Sequence, residues 1–101
     1  MERMEQIRQL DAACAALSRK KLSDGRLAGI VLLPNDWTDE GRGKVLLEDR
    51  SIYFGIEHGD VFFNCGSREL LSCLQELKPN ILDLWSLWNR RAFILAGRRN
   101  S

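Results

Sequence analysis

A chain of 101 residues, 45% apolar and 29% charged, is long enough for one hydrophobic core and too apolar for intrinsic disorder. Fifteen Lys and Arg against fourteen Asp and Glu leave a net charge of +1, so no global field gathers nucleic acid or an anionic membrane. No apolar run reaches the roughly 18 residues of a membrane span, the N-terminus has no apolar secretory segment, and three scattered cysteines fit reduced thiols; the expected location is the cytoplasm.

Residues 3 to 22 read as a helix, with Met4, Ile7, Leu10, Cys14 and Leu17 recurring at spacings of three and four and four alanines between them. The stripe stops at Lys21, too short for a coiled coil. It serves either to dock on the domain's own sheet or to pair with a partner helix. Ser23 to Arg26 is turn chemistry, and Leu27 to Leu33 is a β-rich apolar run closed by Pro34, expected as a central strand. A loop over residues 35 to 43 follows, with Asp36 placed to cap the amides of Thr38 or Asp39, and then a strand from Lys44 to Glu48.

The firmest local pattern is a β-hairpin, Ser51 to Glu57 and Asp60 to Cys65, joined by His58 and Gly59. Alternation puts Ile52, Phe54, Ile56, Val61, Phe63 and Cys65 on one face and Tyr53, Phe62 and Asn64 on the other. Ser67 is positioned to cap a helix over 68 to 77, which Pro79 then interrupts. Asn80 is placed to cap the last helix and Gly97 to close it in a left-handed conformation; residues 92 to 96 also read as a final strand turned by residues 89 to 91. Residues 98 to 101 read as an unstructured tail. The expected architecture is one α+β domain over 1 to 101: an N-terminal helix, a three- to four-stranded antiparallel meander, and two C-terminal helices packed on one sheet face.

The chain offers little for catalysis. Its single histidine, His58, sits in a hairpin turn, Cys65 and Cys73 lie among apolar neighbours, and the spacing of these three excludes a structural zinc pattern. The run Gly41, Arg42, Gly43, Lys44 lacks the rest of a phosphate loop and reads as a flexible hairpin connection. The carboxylate pairs Asp39 with Glu40 and Glu48 with Asp49 lie in charged, solvated stretches. No catalytic residue, cofactor or metal site is assigned.

The last helix carries the main functional signal. At about 100° per residue, Ile81, Leu84, Trp85, Trp88, Ala92 and Leu95 form a core stripe, while Leu82 and Phe93 lie to one side and Leu87 and Ile94 to the other. A helix apolar on most of its circumference is covered on most sides. This favours a non-enzymatic protein-protein interaction module of the inhibitor, immunity, adaptor or chaperone kind, binding another protein or a second copy through Leu82, Trp85, Leu87, Trp88, Phe93, Ile94 and the loop residue Trp37. The second reading is nucleic-acid binding, with Arg90, Arg91, Arg98 and Arg99 on phosphates and Tyr53 or Phe62 stacking on bases. A third is a small-ligand pocket between the sheet and the C-terminal helices.

Overall fold

The computed structural model describes residues 2–33 and 40–99, the side chains of Arg98 and Arg99 lying outside that description. In order the elements are α1 (Glu2–Leu17), β1 (Arg19–Lys21), β2 (Leu27–Leu33), β3 (Gly41–Leu46), β4 (Ser51–Glu57), β5 (Asp60–Phe63), α2 (Arg68–Leu74), a 3-10 turn (Gln75–Leu77) and α3 (Lys78–Arg99). The strands form one antiparallel meander in chain order, with the helices on a single face. The α+β expectation holds, with five strands among the described residues rather than three or four.

The extra strand lies where a longer N-terminal helix was expected. The helix ends at Leu17, and Ser18 returns a hydroxyl hydrogen bond to the Ala15 carbonyl at 2.8 Å. Arg19 to Lys21 then pair with Leu27 to Gly29, around a turn in which Gly25 has φ +91°. Extension places two residues of this stretch where they are buried or bonded. It buries Leu22 to 2% exposure and turns Lys20 inward, where its ammonium donates to the Glu76 carbonyl at 3.3 Å.

Gly41 to Gly43, expected as a flexible connection, belong to β3. The reason is space. A Cβ at Gly41 would stand 3.1 Å from the Trp85 ring and 3.0 Å from Ile56, and one at Gly43 would fall on the Phe54 ring and the Val31 carbonyl oxygen. Glycine there lets two aromatic rings lie on bare backbone at the centre of the sheet.

The hairpin forms as its sequence predicts, with Glu57 opposite Asp60 and positive φ at both His58 (51°) and Gly59 (76°), the signature of a type I′ turn. Ile52, Phe54, Ile56 and Val61 are buried, and Phe63 meets Phe54 edge-on at 6.1 Å. Cys65 lies past the end of β5 instead of within it, its thiol donating to the Ser67 carbonyl at 3.6 Å.

Ser67 caps α2, accepting from the Leu70 amide at 3.3 Å. The helix expected over 68 to 77 ends at Leu74, and the break falls in the 3-10 turn Gln75–Leu77 rather than at Pro79, because α3 starts at Lys78 and proline in a first helical turn forfeits no intrahelical bond. Asn80 is therefore inside the helix rather than its cap, and its side chain donates to the Leu17 carbonyl at 3.4 Å. Gly97 does not terminate the helix, which runs on to Arg99; residues 92 to 96 are helical, not a strand. The Lys78 ammonium reaches Asp60 at 3.1 Å, and together with the Val61 amide, the larger influence, holds that carboxyl below its usual range.

The core joins Leu74, Leu77 and Ile81 to Val45 and Val61, each almost wholly buried, and takes in Leu84 and Trp85 from α3 with Cys14 and Leu17 from α1. Ile7 and Leu10 are also buried but stand outside that cluster. They belong to an antiparallel pair that α1 makes with α3, marked by Asp11 to Arg91 at 2.6 Å. The N-terminal helix thus docks within its own domain, mainly on α3 and only slightly on the sheet. The pair projects beyond the sheet, in keeping with a body of 49 by 26 by 20 Å.

Glycine placement gives a direct test. Gly43→Ala should cost about 3 kcal/mol, the upper range for overpacking, because backbone as well as ring must move, whereas Gly55→Ala should change stability by less than about 0.5 kcal/mol since nothing lies within 4 Å of the added carbon. Urea unfolding of the two variants measures the contrast.

Candidate functional site

The residues expected on one interaction surface are divided by the fold. Trp85 lies over Gly41, and both Trp85 and Leu82 pack against the core. Leu87 and Ile94 are half-buried, Ile94 lining a hollow with Gln6, Gln9, Leu10 and Arg90 where α1 runs alongside. Trp88 and Phe93 remain exposed, at 38% and 79%. Trp37 lies outside the described residues, as does the Asp36 cap proposed for its loop.

The exposed apolar side chains divide between the outer sheet face, with Leu27, Leu46, Tyr53 and Phe62, and the projecting pair, with Met4, Trp88 and Phe93. Phe93 lies near one end of α3, and Met4, 47% exposed, lies near the opposite end of the antiparallel α1, so the two exposed side chains occupy the same end of the projection. Trp88 stands on the other flank, bordering a shallow groove of about 270 Å³ with Cys14, Ala15, Ile30, Leu32 and Leu84; the Arg91 guanidinium is 6.0 Å from its ring. This groove is the concavity between sheet and helices, slightly below the ~300 Å³ at which ligand clefts begin.

The second set of expected residues is not brought together either. Arg90 and Arg91 belong to α3 on the covered side of the sheet, with Arg91 already engaged by Asp11, and the side chains of Arg98 and Arg99 are outside the description. Tyr53 and Phe62, each 55% exposed, point away from the helices.

The outer sheet face contains residues that the sequence pattern did not single out. Cross-strand partners share a face, so the register puts Arg19, Lys21, Leu27, Val31, Arg42, Lys44 and Leu46 on the same side as Tyr53 and Phe62. Their signal was alternation: Arg42 and Lys44 interleave with the inward Gly41, Gly43 and Val45. It was hidden because residues 19 to 21 continue a helical pattern and two glycines imitate a loop.

Groups with chemical potential are scattered. Among the described residues no cluster of His, Cys, Asp or Glu is suited to holding a metal ion. His58 is at the exposed hairpin tip. Glu48 and Asp49 border an open concavity of about 840 Å³ with Gly25, Arg26 and Leu27, and the hydrogen bond from Arg50 holds the Asp49 carboxyl below its usual range. The cysteines are free thiols. Burial pushes the Cys14 and Cys73 thiols up, assisted by Asp11 beside the first and by Asp24, 3.5 Å from the second. Nucleophilic cysteines show the opposite shift.

Comparison with known proteins returned no matching family, no similar curated protein and no similar solved structure. No helix among the described residues is long and apolar enough to cross a membrane.

The thiol shifts have a definite sign. A thiol whose folded pKa lies above its unfolded value contributes stability that is present below the unfolded pKa and lost as pH rises through the folded one. Stability should therefore decline once pH passes about 9, and at pH near 8 the native thiols of Cys14 and Cys73 should be alkylated more slowly than in urea. Thiol labelling followed by peptide mass measurement checks both sites.

Proposed function

We infer that the protein is a non-enzymatic interaction module whose projecting helix pair docks on a protein surface, in its simplest form that of a second copy. The observation that carries this reading is Phe93, 79% exposed on a helix whose other large apolar side chains are at least partly covered, with Met4 exposed on the partner helix at the same end. A solitary exposed apolar residue is ordinary. Two on adjacent helices at one end, with Trp88 on the flank, form a recurring type of anchor for helix-on-helix association.

The energetics favour a modest affinity. Burying three such side chains gains at most about 9 kcal/mol, against an association cost of about 4–15 kcal/mol, so any self-association is concentration dependent. A symmetric dimer would stack two helix pairs into a four-helix arrangement, in which each Phe93 finds the same apolar patch twice. Free thiols at Cys14, Cys65 and Cys73 support placing the protein in a reducing compartment, the cytoplasm.

The test is Phe93→Glu, examined by sedimentation over a concentration series and by affinity capture from native extract. Wild type should move from 11.6 kDa toward twice that mass as concentration rises, and the variant should need at least about tenfold more protein to do so, with no loss of melting temperature. If wild type keeps the mass of one copy into the high micromolar range and both forms capture the same proteins, the helix pair is not the interface.

A further inference from the structure

We propose that the outer sheet face binds single-stranded nucleic acid, independently of the helix pair. Six side chains carry the inference: Arg19, Lys21, Arg42 and Lys44 as cations, and Tyr53 and Phe62 as exposed aromatic rings. None of the four cations makes an ion pair among the described residues, whereas Arg26, Arg50, Lys78 and Arg91 all do. The carboxylates on or beside this face sit at its margins: Glu57 and Glu40 at the hairpin end of β4 and β3, Glu48 past the other end of β3, and Asp60 turned to Lys78. A protein with a net charge of only +1 thus gathers on one side four cations that make no ion pair among the described residues.

The geometry separates stacking from phosphate contact. Phe62 stands opposite Gly55, two residues along from Tyr53, so the two rings are diagonal neighbours about 7–8 Å apart at the backbone. That spacing gives each ring room for a base of its own. Between them, nothing lies within 4 Å of where a side chain on Gly55 would begin, so an open slot is bordered by both rings and by Arg42, which pairs across from Gly55. Lys44 stands opposite Tyr53, and Arg19 and Lys21 lie two strands further out, about 10 Å beyond β3. A strand of nucleotides crossing the sheet would stack bases at β4 and β5 and lay its phosphates toward β3 and β1. Paired bases are already stacked inside a duplex, so exposed rings on an open sheet face select single strands. An acidic peptide answers the charge but leaves the rings and the slot without a use.

The experiment measures fluorescence anisotropy of a labelled mixed-sequence oligonucleotide of about eight residues, as DNA and as RNA, on the full chain over a range of salt. Wild type should bind the single strand more tightly than the matching duplex. Tyr53→Ala and Gly55→Val should each weaken binding about tenfold; both sites are open, and valine suits a strand, so circular dichroism should show intact folds. Arg42→Gln combined with Lys44→Gln should flatten the plot of log Kd against log salt by about 1.4, roughly 0.7 for each phosphate that is no longer neutralised. Phe93→Glu should leave the affinity unchanged, so that failure of the helix-pair reading and failure of this one are told apart. No binding at about 50 mM salt, equal affinity for duplex, indifference to the sheet variants, or full displacement by polyglutamate at equal affinity would each overturn the proposal.

Discussion

The two glycines of β3 set the spacing of everything above the sheet. Because Gly41 and Gly43 carry no side chains, the rings of Trp85 and Phe54 rest directly on the middle strand, and α3 approaches closely enough for Ile81 and Leu84, with Leu77 of the preceding 3-10 turn, to join Val45 and Val61 in one core. Interiors packed at crystal density do not absorb an added methyl group without displacement. The seating of α3 then fixes the line along which α1 runs, since α1 is held mainly by α3 and only lightly by β1.

Much of this organisation was legible from local pattern. The hairpin over residues 51 to 63, the Ser67 cap and the inward sets on β4 and α3 follow from alternation, turn chemistry and helical spacing, which act within a few residues. What was not legible depends on long-range contact. Arg19 to Lys21 continue a helical rhythm and become a strand only because Leu27 to Gly29 fold back onto them. Gly41 and Gly43 resemble a loop until the rings that cover them arrive from residues 85 and 54. Pro79 resembles a break because its tolerance depends on being in the first turn of α3.

The interaction surface was legible only in part, for the same reason. An excess of apolar residues around α3 is visible in the sequence, but its division between the sheet, α1 and solvent is a property of the assembled molecule. The sheet takes Trp85 and contributes to covering Leu82, α1 runs beside Ile94, and Phe93 is left outside. Arg42 and Lys44 share a face with Tyr53 through register, which no count of net charge reveals.

The pairing of α1 with α3 also shapes how the chain is made. Asp11 and Arg91 are 80 positions apart, whereas the meander pairs each strand with the next. Contacts between neighbours along the chain close quickly, and those across nearly its whole length close last. On the ribosome the α1 stripe of Ile7 and Leu10 therefore waits uncovered while the strands assemble, and it is sheathed only once the final helix has been translated.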